Sequence, residues 1–267
     1  MSDSYLFWES LLTNTQANIL IFARVAGIFA FNPIFSRRNI PSRIKVGATM
    51  ALTLLISGSV ISSSDLSAVN YESFLEYAVA IFLEIAVGLI LGFLTNMFLS
   101  MLLYAGEIMD TSSGLGMAKV YDPSTQTQQA LFGTYMNYMF IIYFFITNSH
   151  LQMIRIYLLS YEVIPLGLEA IDTNVLYVIV QYMGVLFTLA LKLAMPVVMA
   201  EIIIEVCVGI LMKTVPTIQV MTINIQLKVI AGLLLMFVLA VPMSDAIERY
   251  MADMMESVES VLPMIMP

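Results

Sequence analysis

The chain has 267 residues, of which 60% are hydrophobic and 11% charged, with a net charge of -8; a soluble domain carries about 25% charged residues. One soluble core cannot hide that apolar mass, so lipid or a large apolar assembly must cover part of it, and the acidic balance excludes a nucleic-acid partner, which needs a basic patch. The single cysteine, Cys207, excludes a disulfide framework or thiolate cluster, and the single histidine, His150, gives no basis for histidine catalysis or a metal centre.

The first sixteen residues carry acids and no basic n-region, and no small-residue cleavage site follows, so the first apolar block is expected to be retained. Six blocks follow in order: Ala17–Phe35, Val46–Ile61, Tyr77–Leu103, Leu131–Thr147, Asn174–Met212 and Leu227–Met243. About 20 apolar residues span a bilayer as a helix, and backbone in lipid must satisfy itself, so each block is predicted helical. The fifth would reach about 60 Å if straight. With Pro196 near its middle, it is either one kinked helix or a buried hairpin.

Arg37, Arg38, Arg43 and Lys45 follow the first block, and Lys213 and Lys228 bracket the fifth loop. The positive-inside rule turns both loops to the cytoplasm and places the termini and the acidic segments Asp65–Glu76 and Arg155–Asp172 outside. After Met243 the tail spaces Ile247, Met251, Met254, Met255, Val258 and Val261 as one helix face. That face is expected to lie on the membrane or on a partner. No repeat or linker interrupts the chain, which reads as one domain over 1–267.

The segment from Tyr104 to Gln129 is too long for an ordinary connection. Gly106, Gly114 and Gly116 permit unusual backbone, Met109 and Met117 supply adaptable apolar contacts, and Asp122-Pro123 signals a turn. A compact loop packed into a cavity is the expectation.

Five charges interrupt the apolar blocks: Arg24, Glu84, Lys192, Glu201 and Glu205. Each is costly in lipid, by roughly 3 kcal/mol, so each is expected to face protein or water and to pair with neighbouring subunits. Glu201 and Glu205 share a helix face, whereas Lys192 points away from Glu201. Gly88 and Gly92 allow another helix to approach closely. Metalloprotease, nucleophile-elbow and Walker motifs are missing, which argues against an enzyme and a cofactor.

Several segments together resemble the FliR family of flagellar type III export-gate proteins, whose injectisome counterpart is SctT. They are Arg24-Val25-Ala26-Gly27, Asn32-Pro33-Ile34-Phe35 and Ile40-Pro41 near the start, then Ala105-Gly106-Glu107-Ile108-Met109-Asp110 with Gly114, Ala118 and Asp122-Pro123. Ser160-Tyr161 through Pro165-Leu166-Gly167 looks like the family's serine-aromatic turn, and Pro196, Glu201, Gly209, Pro216-Thr217-Ile218-Gln219-Val220, Lys228 and Gly232 complete the match. Lys213 stands where members often place an arginine.

The resemblance implies an all-α membrane protein of about six long, bent helices or helical hairpins. A FliP-like part followed by a FliQ-like part would join a helical, pseudo-symmetric assembly in the inner membrane at the flagellar basal body. Its expected partners are FliP-like and FliQ-like subunits, an FlhB-like export component, membrane lipid and unfolded secreted proteins. It also implies a pore plug carried by Gly106, Met109, Asp110, Gly114, Gly116, Met117, Asp122 and Pro123. The competing reading is a secondary transporter with an ion site at Glu201 and Glu205, although the matched broken helices typical of transporters are missing.

Overall fold

The computed structural model describes residues 14–32, 40–63, 69–115, 120–122, 127–129, 131–167, 170–172, 174–214 and 220–266. Among these residues the protein is all-α apart from one small hairpin. Its helices are α1 (Thr15–Phe31), α2 (Ser42–Ser63), α3 (Phe74–Ser112), α4 (Leu131–Ile146), α5 (Ser149–Val163), α6 (Asn174–Thr214), α7 (Val220–Val238) and α8 (Ala240–Val261). Strands β1 (Val120–Asp122) and β2 (Thr127–Gln129) lie between α3 and α4 and pair antiparallel, Val120 opposite Gln129.

Three helical stretches are long and apolar enough to cross a membrane: Ser42–Val60, Phe74–Ser112 and Asn174–Leu211. A fourth arises if the pair Gln226–Val238 and Ala240–Met264, bent by 64°, counts as one span. The fifth apolar block is one helix, not a hairpin: α6 runs 41 residues through Pro196. A proline removes one backbone donor there, a defect that membrane helices tolerate when neighbours satisfy the freed carbonyl.

Three boundaries differ from the sequence reading. Helix α3 continues to Ser112, nine residues past the expected end at Leu103, because Tyr104–Ser112 contains no proline to stop it. Helix α5 occupies the first half of the segment read as an outer loop, Arg155–Asp172; Met153, Ile156, Tyr157, Ser160 and Tyr161 bury one helical stripe, interrupted along the sequence by Arg155 and Glu162. The last block breaks at Leu239, and the tail helix α8 begins just before Pro242, which suits a first helical turn.

The chain gathers into two compact units, each drawn from distant segments. The first unit takes Met1–Met97, His150–Gln181 and Met254–Pro267. Its core includes Leu20, Ile21, Val25, Ile56, Val60 and Tyr161. Helices α1 and α3 touch backbone to backbone: an added methyl on Gly88 would overlap the Arg24 carbonyl, and one on Gly27 would lie 2.5 Å from the Ile85 carbonyl oxygen. Gln16 donates its amide to the Tyr71 carbonyl at 3.3 Å and accepts from the Tyr71 N–H at 3.1 Å, fixing the entry to α3.

The second unit takes Phe98–Ser149 and Tyr182–Asp253. There α6 buries a narrow stripe, Leu186, Ala190, Ala194, Val197 and Glu201, while Phe187, Leu191, Met195, Met199 and Ile203 remain exposed. So much exposed apolar surface requires lipid or other chains. On the face of α8 expected to meet a membrane or a partner, Ile247 and Met251 of this unit are buried within the chain, and so are Met254, Met255, Val258 and Val261, which belong to the first unit.

Replacing Gly88 by alanine should therefore destabilise the protein by about 1–3 kcal/mol through overpacking. Gly47→Ala, where an added methyl meets nothing within 4 Å, should be neutral or stabilising. Thermal unfolding of both variants in detergent checks the contrast; equal behaviour would refute it.

Candidate functional site

Arg24 is buried, and its guanidinium is fully used. The Nε donates to Glu84 Oε2 at 2.6 Å and one terminal nitrogen to Glu84 Oε1 at 3.1 Å. The remaining bonds run to the carbonyls of Ser160 at 2.9 Å and of Ile164, twice, at 3.1 Å. These five bonds match the five N–H donors of arginine, and the fork to Glu84 is the strong bidentate form. The Tyr161 ring lies 4.3 Å below the guanidinium carbon, a desolvated cation–π contact.

Glu84 accepts a further bond from the Gly167 N–H at 3.2 Å. Gly167 adopts a φ of 81°, and a side chain there would strike Tyr71, so glycine is demanded twice over. The serine-aromatic turn thus exists to present two carbonyls and one N–H to an ion pair. Arg24 and Glu84, expected to pair with neighbouring subunits, pair with each other inside the chain at 2.6 Å.

The end of α3 and the start of α4 form a second locus. Gly106, Met109 and Asp110 belong to α3 rather than to a loop, and Met109 and Asp110 are buried. A methyl on Gly106 would overlap the backbone of Gly133, so the two helices meet without side chains between them. Asp110 Oδ2 accepts the Phe132 N–H at 2.9 Å, capping α4 where helix N–H groups are unsatisfied and the helix dipole favours an anion.

Gly114, with a φ of 71°, turns the chain out of α3, as left-handed residues do at helix ends. The backbone then enters the β1–β2 hairpin, in which Asp122 closes the first strand. Gly116, Met117 and Pro123 lie outside the described residues.

The remaining charges have separate fates. Glu201 is buried beside Ser113 and Gly232: a methyl on Gly232 would stand 3.2 Å from Ser113 Oγ and 3.4 Å from Glu201 Oε1. Glu205, one turn on, is exposed and pairs with Lys228 at 3.2 Å, so it too has a partner within the chain. Lys192 is exposed in a groove shared with α8. The two glutamates of the transporter reading thus occupy different environments. Sequence reasoning missed Ser113 as the neighbour of Glu201 and used Lys228 only for orientation; its spacing from Glu205 crosses a loop and carries no periodic signal.

Breaking the Arg24–Glu84 pair one side at a time should destabilise the protein by about 3–5 kcal/mol, because the surviving charge stays buried. Arg24→Met combined with Glu84→Met should be milder than the sum of the singles. A double-mutant cycle on thermal stability measures the coupling, and strict additivity would contradict the geometry. Asp110→Ala should cost about 1 kcal/mol as a lost helix cap, and Asp110→Asn less.

Comparison with known proteins covers the segments that hold both loci. A model of bacterial export proteins, family 1, matches residues 15–254. The flagellar biosynthetic protein FliR of Escherichia coli strain K12 is 25% identical over 267 residues, covering 99% of this chain and 98% of that protein. The FliR of Bacillus subtilis strain 168 is 25% identical over 234 residues, covering 86% and 88%. That of Aquifex aeolicus strain VF5 is 24% identical over 220 residues, covering 80% and 81%. With the match running through both loci, the chain belongs to the bacterial export proteins of family 1, the family of the FliR flagellar biosynthetic proteins.

Proposed function

We propose that this chain is a non-enzymatic subunit of a flagellar type III export gate in the bacterial inner membrane. With FliP-like and FliQ-like subunits it forms the channel through which unfolded flagellar proteins leave, and an FlhB-like component works beside it. Family membership supports the export role. The exposed apolar residues of α6 support the need for other chains, since a single polypeptide leaves them uncovered. Each compact unit draws on distant segments of the chain, which supports reading 1–267 as one domain.

The plug of this gate is the stretch between α3 and α4. The observation that carries this reading is the clamp at its base: Gly106 against Gly133, and Asp110 on the Phe132 N–H, hold the two helix ends together. The two helix ends thus give the stretch between them a fixed base. Within the plug assignment, Gly106, Met109 and Asp110 hold that base and Gly114 turns the chain out of α3, while Gly116, Met117, Asp122 and Pro123 are assigned to the plug through the family resemblance.

Replacing residues 116–126 with a short glycine-serine link should leave partner co-purification intact and raise small-ion conductance across the membrane. Conductance measured alongside assembly tests it, and an assembled complex as tight as wild type would sink the plug assignment. Co-expression with FliP-like and FliQ-like proteins followed by native mass measurement tests the gate itself. A monodisperse, heat-stable single chain that ignores both would refute it.

A further inference from the structure

Within the second unit, α6 and the α7–α8 junction line an open groove of about 370 Å³. Leu189, Leu193, Pro196, Leu239 and Met243 form apolar walls, and the polar groups are Lys192, Arg249, Tyr250 and Asp253. The tyrosine hydroxyl is already committed, donating to the Phe98 carbonyl at 2.8 Å. Among the described residues, Arg249 spends its Nε on the Asp245 carbonyl at 3.2 Å and its terminal nitrogens on no hydrogen bond. Among the described residues, no carboxylate lies within 4.0 Å of Lys192. Two cations and one acid leave the groove with a net charge of about +1 amid apolar walls.

We propose that this groove seats the headgroup of an anionic phospholipid. Lys192 stands inside a stretch apolar enough to cross a membrane, where an unpaired ammonium is costly. A phosphodiester brings one negative charge, several acceptor oxygens and an acyl chain. The charge answers the cations, and the chain continues along the exposed Leu191 and Met195 of the same helix. Basic pockets between membrane helices bind anionic headgroups in this way. An acidic side chain from a partner protein would meet the same charge but would leave the apolar walls uncovered.

The test uses the full chain, purified with its partners, and exchange of phosphatidylglycerol against phosphatidylcholine followed by native mass spectrometry. Wild type should retain phosphatidylglycerol selectively. Lys192→Gln with Arg249→Gln should lower that retention about 25-fold, at about fivefold per charge. Asp253→Asn should raise it about fivefold, and this variant keeps the proposal testable if the double substitution fails to fold. Lys192→Arg and Lys213→Gln should behave as wild type. Unselective retention, or retention unchanged by both the double variant and Asp253→Asn, would overturn the assignment. Loss of a protein partner from the double variant with phosphatidylglycerol retention intact would overturn it in favour of a partner carboxylate.

Discussion

A buried guanidinium must have every donor satisfied, and that single requirement organises the first unit. Arg24 on α1 can only be desolvated if Glu84 on α3 supplies a carboxylate and the Ser160–Gly167 turn supplies carbonyls. The pair in turn draws α1 against α3 until only glycine fits at 27 and 88. Buried ion pairs rarely add much net stability; their value lies in discriminating among arrangements, since any other packing leaves a charge unpaired. An apolar interface of Leu and Ile would be more forgiving and less specific.

The second unit is built on a different economy of contact. Its helix α6 leaves a broad apolar face exposed, and the carboxyl groups buried in this unit among the described residues are two: Asp110 at a helix start and Glu201 beside Ser113. The first unit thus pairs its buried charges, Arg24 and Glu84, with each other, whereas α6 leaves a broad apolar face for its surroundings to cover. The family assignment fits this division, because a component of an export apparatus must offer surface to other molecules.

Helix content and the positions of the long apolar stretches were legible in the sequence because hydropathy is a local property. The amphipathic tail was legible too, since Ile247, Met251, Met254 and Val258 keep helical spacing. What that face packs against was not, because burial depends on residues elsewhere in the chain. Helix α5 was hidden by the charges of Arg155 and Glu162 that mark it as a loop between apolar blocks, and the true end of α3 by glycines that read as loop signals but are helical at Gly106. The charges were found one by one; their pairing was not, because Arg24 and Glu84 are 60 residues apart and no spacing rule reaches that far.

Those separations also set an order of events during synthesis. Glu84 leaves the ribosome 60 residues after Arg24, but the carbonyls of Ser160 and Ile164 follow 136 and 140 residues behind it. Some 80 residues separate Glu84 from Ile164, so at about 5–20 residues per second the arginine waits roughly 4–16 seconds between meeting its carboxylate and acquiring its last acceptors. During that interval α1 and α3 must persist as a helical pair with a half-satisfied charge. Water, a headgroup or an insertion factor has to stand in for the missing turn, and the nascent first unit stays dependent on that substitute until α5 arrives.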